Sequence, residues 1–204
     1  MRPAALWLLL ALAGCAAQPP EMGGSPETRV ASGSDLRAQV HTDLAASYYL
    51  REQYAVALHE LTEALKVSPD HAPAYNMLGL VHGALREDAR AEESFRRAIA
   101  LSPQYSEAHN NYGYFLCQRK RPKEARAHFE TALANPLYAS PEKALSNAGA
   151  CSLEQGDLDV AEMYYQRATL RAPGHAPAQL GLAEVNFRQG RWLAARALLR
   201  RLTE

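Results

Sequence analysis

Three cysteines and seven histidines are the side chains of this 204-residue sequence best equipped for chemistry. Cys15 ends an apolar run, where a thiolate is open to acylation. Cys117 and Cys151 lie 34 residues apart and either oxidise to a disulfide or remain two buried free thiols. The histidines, at 41, 59, 71, 82, 109, 128 and 175, are nowhere spaced as a metal pair on one helical face. His71 and His175 share the phrase His-Ala-Pro-Ala, which marks a recurring junction rather than a site. No Gly-rich phosphate loop, nucleophile elbow or zinc pattern occurs. Glu92-Glu93 and Arg96-Arg97 stand at helical spacing and read as a solvated, charge-paired face. The sequence therefore predicts no catalytic residue, no metal site, no cofactor and no small-molecule substrate.

The elements that position these residues begin at the amino end. Residues 1–14 carry Arg2 as a short positive start, and Ala4 to Ala13 form an apolar run too short to span a bilayer permanently. Leu12-Ala13-Gly14-Cys15 resembles the bacterial lipobox. That resemblance implies a leader removed before Cys15, acylation of the Cys15 thiol and of the new amino group, and anchoring by acyl chains. Ala16 stands where an aspartate would signal inner-membrane retention, so the same resemblance implies the periplasmic face of the outer membrane. Residues 15–37 contain Pro, Gly and Ser without apolar periodicity. They are expected to be the acylated terminus and a flexible tether reaching roughly 25 Å. Basic and acidic side chains balance at 22 each, which gives no electrostatic reason to expect nucleic acid as the partner.

From residue 38 the sequence repeats. Aligning Pro69, Pro103 and Pro173 gives repeats at 38–71, 72–105, 106–139 and 142–175, with an incomplete fifth at 176–204. Repeat 2 shows the pattern best: Tyr75, Leu78, Gly79, Ala91, Phe95, Ala98 and Pro103. Repeat 4 follows it with Leu145, Gly149, Ala161, Tyr165, Ala168 and Pro173, and repeat 3 with Tyr112, Gly113, Leu116, Ala125, Phe129 and Ala132. These phrases resemble the 34-residue tetratricopeptide repeat (TPR), which implies an all-α superhelical solenoid of antiparallel helix pairs. Small residues let the two helices of a pair approach, the aromatic fills the space toward the next pair, and proline ends the second helix. No single hairpin buries its apolar face, so stacking supplies the stability. Residues 133–141 carry two prolines and a two-residue insertion, so the turn between repeats 3 and 4 is expected to be irregular. Repeat 5 stops at Glu204 without a polar capping helix, which leads us to expect a native chain that continues.

This register bears on Cys117 and Cys151. They occupy repeat positions 12 and 10, about 200° apart around a first helix, so one faces the following repeat and the other the preceding one. Adjacent first helices lie side by side, and an oxidising compartment then favours a disulfide between repeats 3 and 4. Closing that loop contributes roughly 3–4 kcal/mol in the chain-entropy picture. Two buried free thiols remain the alternative.

The same register assigns a partner-binding groove to the first helices. Asn76, Asn110, Asn111 and Asn147 fall at positions 5 or 6, where side-chain amides can hold an extended peptide, although Asn there is also part of the TPR pattern. Tyr49, Leu80 and Tyr114, at positions 9 or 12, add apolar surface. Receptors for carboxylate-ended peptides need basic residues at positions 2 and 5–6. Here those positions hold Gln39, Thr42, Pro73, Asn76 and Glu107, with Lys143 alone basic, which disfavours such a role.

A closer resemblance rests on Asn110-Asn111-Tyr112-Gly113-Tyr114-Phe115-Leu116-Cys117, Ala134-Asn135-Pro136-Leu137-Tyr138, Pro141-Glu142-Lys143-Ala144 and Asn147-Ala148-Gly149-Ala150-Cys151. These phrases resemble the type IV pilus biogenesis lipoproteins, the PilF/PilW pilotin family. The irregular turn and the cysteine pair are marks of that family, and its members usually carry six repeats. The resemblance implies a non-catalytic outer-membrane scaffold whose partners are the pilus secretin, which it helps to reach or assemble in the membrane, and other pilus-assembly proteins. The alternative is a TPR lipoprotein that organises cell-wall enzymes or outer-membrane protein assembly.

Overall fold

The computed structural model describes residues 33–202. Cys15, the leader and most of the expected tether lie outside that range. The described residues form ten helices in five antiparallel pairs: α1 (Gly33–Leu50) with α2 (Tyr54–Val67), α3 (Ala72–Ala84) with α4 (Asp88–Leu101), and α5 (Ser106–Gln118) with α6 (Pro122–Ala134). α7 (Pro141–Glu154) with α8 (Leu158–Arg171) and α9 (Ala176–Arg188) with α10 (Trp192–Arg201) complete the set. No strand occurs among the described residues. Each pair is one repeat, and the fold is a TPR solenoid.

Turn chemistry sets these lengths. The turn after the first helix of every repeat holds a residue in the left-handed region: Glu52 (φ 59°), Arg86 (φ 62°), Lys120 (φ 59°), Gly156 (φ 82°) and Gly190 (φ 76°). All five occupy repeat position 15. The following N–H reaches back over the turn, as in Arg121 to the Leu116 carbonyl (3.0 Å) and Asp157 to that of Ser152 (3.0 Å), so the last carbonyls of the helix are satisfied. Proline sits in the first turn of α3, α6, α7 and α9, where its missing N–H costs nothing.

One local outcome departs from the sequence reading. α1 begins at Gly33, so residues 33–37, expected to be tether, are helical. Asp35 falls in the first turn, where the helix dipole favours a carboxylate, and its Oδ1 accepts a bond from Ser68 Oγ at 2.9 Å. The stretch after α6 is ordered by its own side chains. Asn135 donates to Ser106 Oγ (3.0 Å) and accepts from the Leu137 N–H (3.0 Å), while the Tyr138 hydroxyl donates to Glu107 (3.0 Å). The irregular turn is thereby tied to the start of α5.

The core follows the small-and-aromatic pattern. A Cβ on Gly79 would lie 2.6 Å from the Phe95 ring, and one on Gly113 would lie 2.9 Å from Phe129. The two helices of these repeats therefore approach as closely as backbone and ring allow. Phe95 extends into repeat 3, with ring centroids 5.5 Å from Tyr112 and 5.6 Å from Phe115. The buried residues fall into two clusters, one from Ala38 to Val81 and one from Ala91 to Val185, and Leu80 packs against both.

Polar contacts couple successive repeats on the side of the second helices. From repeat 2 to repeat 3, Glu92 on α4 accepts Arg121 (2.8 Å) and the Tyr112 hydroxyl (2.9 Å), and Asp88 accepts Arg119 (2.8 Å). The Arg121 hydrogen bond holds the Glu92 carboxyl below its ordinary range against the opposing effect of burial. From repeat 4 to repeat 5, Glu162 on α8 pairs with Arg191 at 2.6 Å and is held low in the same way. These acid–base pairs occupy the same two repeat positions, 21 and 16.

Candidate functional site

The first helices carry the residues that the register assigns to a groove. Their amides bond to one another. Asn111 Nδ2 donates to Asn76 Oδ1 (3.1 Å), Asn110 Nδ2 to Asn111 Oδ1 (3.4 Å) and Asn147 Nδ2 to Asn110 Oδ1 (2.9 Å). A ladder of side-chain amides thus crosses repeats 2, 3 and 4.

Its members do not lie at one depth. Asn76 and Asn110 are 5% and 2% exposed, while Asn111 and Asn147 are half-buried. The sequence puts all four on one face, but the structure makes Asn76 and Asn110 the supports that orient Asn111 and Asn147 at the surface. Burying an amide is costly unless it is hydrogen-bonded, which explains why the inner pair meets the outer pair.

The apolar part of this face is built on tyrosines. Tyr49 is half-buried against Tyr54, ring centroids 5.8 Å apart, and its hydroxyl is pushed above the ordinary range by burial and by the neighbouring Tyr54 and Tyr114. Tyr114 remains 42% exposed. Leu80 is half-buried between the two core clusters. Tyr49, Tyr114 and the outer asparagines therefore offer flat rings and fixed amides, the surface chemistry that suits an extended peptide. Tyr54, on α2, has no counterpart in the groove read from the sequence, because that register considered first helices alone.

Cys117 on α5 and Cys151 on α7 are joined by a disulfide, Cα atoms 5.8 Å apart, at the first-helix side of the boundary between repeats 3 and 4. Both are excluded from solvent.

A histidine pair sits inside repeat 3. The His109 Nε2–H donates to the Pro103 carbonyl (3.1 Å), which leaves His109 Nδ1 to accept from His128 Nδ1–H at 3.0 Å. Burial lowers the His109 pKa, and burial together with His109 lowers that of His128 to about 4. Both rings are neutral at pH 7. The pair packs beside Tyr112, whose ring centroid lies 4.5 Å from that of His128, and belongs to the packing of the repeat. Among the described residues no three His, Cys, Asp or Glu side chains are grouped to hold a metal ion, and no helix is long and apolar enough to cross a membrane.

Comparison with known proteins agrees with this architecture. Residues 42–106, 82–141 and 152–204 match the tetratricopeptide repeat family. The chain is 27% identical over 195 residues to the type IV pilus assembly protein PilF of Pseudomonas aeruginosa, covering 95% of this chain and 76% of that protein. The crystal structure of PilW, a widely conserved type IV pilus biogenesis factor, superposes with a TM-score of 0.74 at 34% identity, over 81% of this chain and 76% of that one. The structure of Pseudomonas aeruginosa PilF gives a TM-score of 0.77 at 25% identity, over 84% and 77%. The chain is a helical-repeat scaffold that belongs to the tetratricopeptide repeat family and, within it, to the PilF and PilW group of type IV pilus biogenesis proteins.

Proposed function

We propose that this protein is an acylated outer-membrane scaffold of type IV pilus biogenesis, which uses the first-helix face to hold a segment of the pilus secretin or of another pilus-assembly protein. The observation that carries the reading is the homology to PilW and PilF over most of the repeat domain. Two features of this chain support it independently. The Leu12-Ala13-Gly14-Cys15 sequence supplies the acylation signal, with Cys15 as the lipidated residue. The face of Tyr49, Tyr114, Asn111 and Asn147 supplies rings and oriented amides without a cationic clamp, so it suits an internal peptide segment rather than a free carboxylate end. The acyl chains fix the address, the segment after Cys15 gives reach, and the stacked repeats hold the face rigid.

The test is deletion of the gene, followed by complementation with the full chain or with Cys15→Ser. Heat-resistant secretin multimers and surface pili are expected to fall together, and Cys15→Ser is expected to restore neither. Normal multimers with fewer pili would remove the secretin from the proposal. Incorporation of an azido fatty acid that survives Cys15→Ser would remove the acylation. Co-purification with peptidoglycan enzymes in place of pilus proteins would favour a cell-wall scaffold.

A further inference from the structure

Repeat boundaries 2–3 and 4–5 are closed on the second-helix side by Glu92–Arg121 and Glu162–Arg191. At the 3–4 boundary the same two repeat positions hold Arg126 and Asp157, with the charges reversed. The two residues do not pair. Both line a cavity of 530 Å³ walled by α6, by the end of α7 with the turn that follows it, and by Tyr164 of α8. The floor of this cavity is apolar, made by Phe129, Ala148, Cys151 and Tyr164.

A second, smaller hollow follows it along α6, α7 and α8. One turn further on, Leu133, Leu145 and Arg167 line a second cavity of 170 Å³ that ends at the Pro136–Tyr138 turn and Arg171. From Lys123 to Pro136 the two hollows together span roughly 20 Å at the rise of a helix, the length of about six extended residues. The crevice is lined by α6, α8 and the Ala148–Ser152 side of α7, Cys151 of the disulfide included, whereas none of the asparagines of the ladder lines it.

Charge decides what fits. Lys123 and Arg126 rim one end, and Arg167 and Arg171 the other. Among the described residues none of these four cations has an ion pair, and Arg167 only approaches the Tyr164 ring, at 6.0 Å. Asp157 is the lone carboxylate of the rim. A comparable hollow in repeat 2, lined by Tyr75, His82 and Arg90, differs on this point. There Arg90, Arg96 and Arg97 are already paired with Glu87, Glu92 and Asp70. Cations left without partners over a recessed apolar floor attract a carboxylate-bearing chain that also carries an apolar side chain. A flat lipid surface reaches the cations but not the floor.

We propose that the crevice between α6 and α8 is a second docking site, independent of the first-helix face, for an extended acidic peptide segment that places an aromatic or aliphatic side chain on Phe129, Ala148 and Tyr164. Carboxylates of the segment meet Lys123 and Arg126 at one end and Arg167 and Arg171 at the other.

The test uses the full chain and two fluorescein-labelled hexapeptides that share two phenylalanines, one with glutamates and one with lysines at the remaining positions. Anisotropy is expected to show the acidic peptide binding about tenfold or more tightly than the basic one, a difference that one or two unscreened ion pairs supply. Arg126→Glu with Asp157→Arg restores the charge order of the closed boundaries and is expected to abolish the preference, as is Lys123→Glu with Arg167→Glu. Arg97→Glu, in the hollow of repeat 2, is expected to leave binding unchanged. Equal affinity for the two peptides, or unchanged binding in both crevice variants, overturns the proposal. So does binding to phosphatidylglycerol vesicles without binding to the peptide, which would assign the cations to lipid.

Discussion

Boundaries 2–3 and 3–4 join the same kind of helix pair by opposite means. At 2–3 the first helices carry no covalent link, and the second-helix side is sewn by Glu92 to Arg121 and Tyr112 and by Asp88 to Arg119. At 3–4 the first helices are tied by Cys117–Cys151, the exposed Lys120–Glu154 pair is long at 3.6 Å, and Arg126 and Asp157 stay apart. A repeat protein is stabilised by the interfaces between neighbours, and those terms are largely separable. A covalent tie can thus stabilise a boundary whose second-helix charges do not pair. The disulfide and the α6–α8 crevice share one boundary.

The aromatic plugs test this difference most severely. Phe95→Ala empties a site closed on both sides, and a loss of about 3–5 kcal/mol is expected by urea denaturation. Phe129 is buried to the same degree but borders the crevice, into which the space left by Phe129→Ala would open and take up water, so its loss is expected at the low end of that range. Equal losses would mean that the two boundaries are equally closed.

Next in size is the covalent tie. Cys117→Ser with Cys151→Ser opens a loop of 34 residues and is expected to cost roughly 3–4 kcal/mol. Hydrogen exchange should localise the effect: amides of α7 to α10 lose protection while those of α1 to α4 keep theirs. Uniform loss across the chain would contradict boundary-by-boundary coupling.

Glu92→Gln weakens the ionic boundary in the complementary place. Glu92 is largely shielded and accepts from both Arg121 and Tyr112, so about 1–2 kcal/mol is expected, with lost protection confined to α4, α5 and the start of α6. The variant should respond to salt less than the parent, because the interaction that salt screens is already reduced.

The smallest effect depends on pH and concerns repeat 3, which both boundaries share. His109 and His128 have folded pKa values below the ordinary 6.5, that of His128 at about 4, so folding favours their neutral forms. That contribution is fully present above pH 6.5 and is lost progressively as pH falls toward 4. In His128→Gln the slope of stability against pH in this window is expected to flatten. A slope that is unchanged would place the acid sensitivity elsewhere.

How far these features were legible differs residue by residue. The prolines and small residues marked the helix pairs. The left-handed turn at position 15 was legible at Gly156 and Gly190, but not at Glu52, Arg86 and Lys120, where closing bonds offset a side-chain penalty of about 1 kcal/mol. The start of α1 was misplaced by the low hydrophobicity of residues 33–37, since only the folded chain brings Asp35 to Ser68. Periodicity put the asparagines on one face and was silent about their depth.

By itself the sequence determined the repeat, its register, the family and the cysteine positions, because each rests on local spacing that a helix converts directly into a face. Tertiary structure decided which asparagines are supports and which are surface. It also decided that His109 and His128 meet, and that the charges at positions 21 and 16 pair at two boundaries yet stay apart at the third. Those outcomes depend on distances between helices far apart in sequence, which are set by how every neighbouring side chain packs at once.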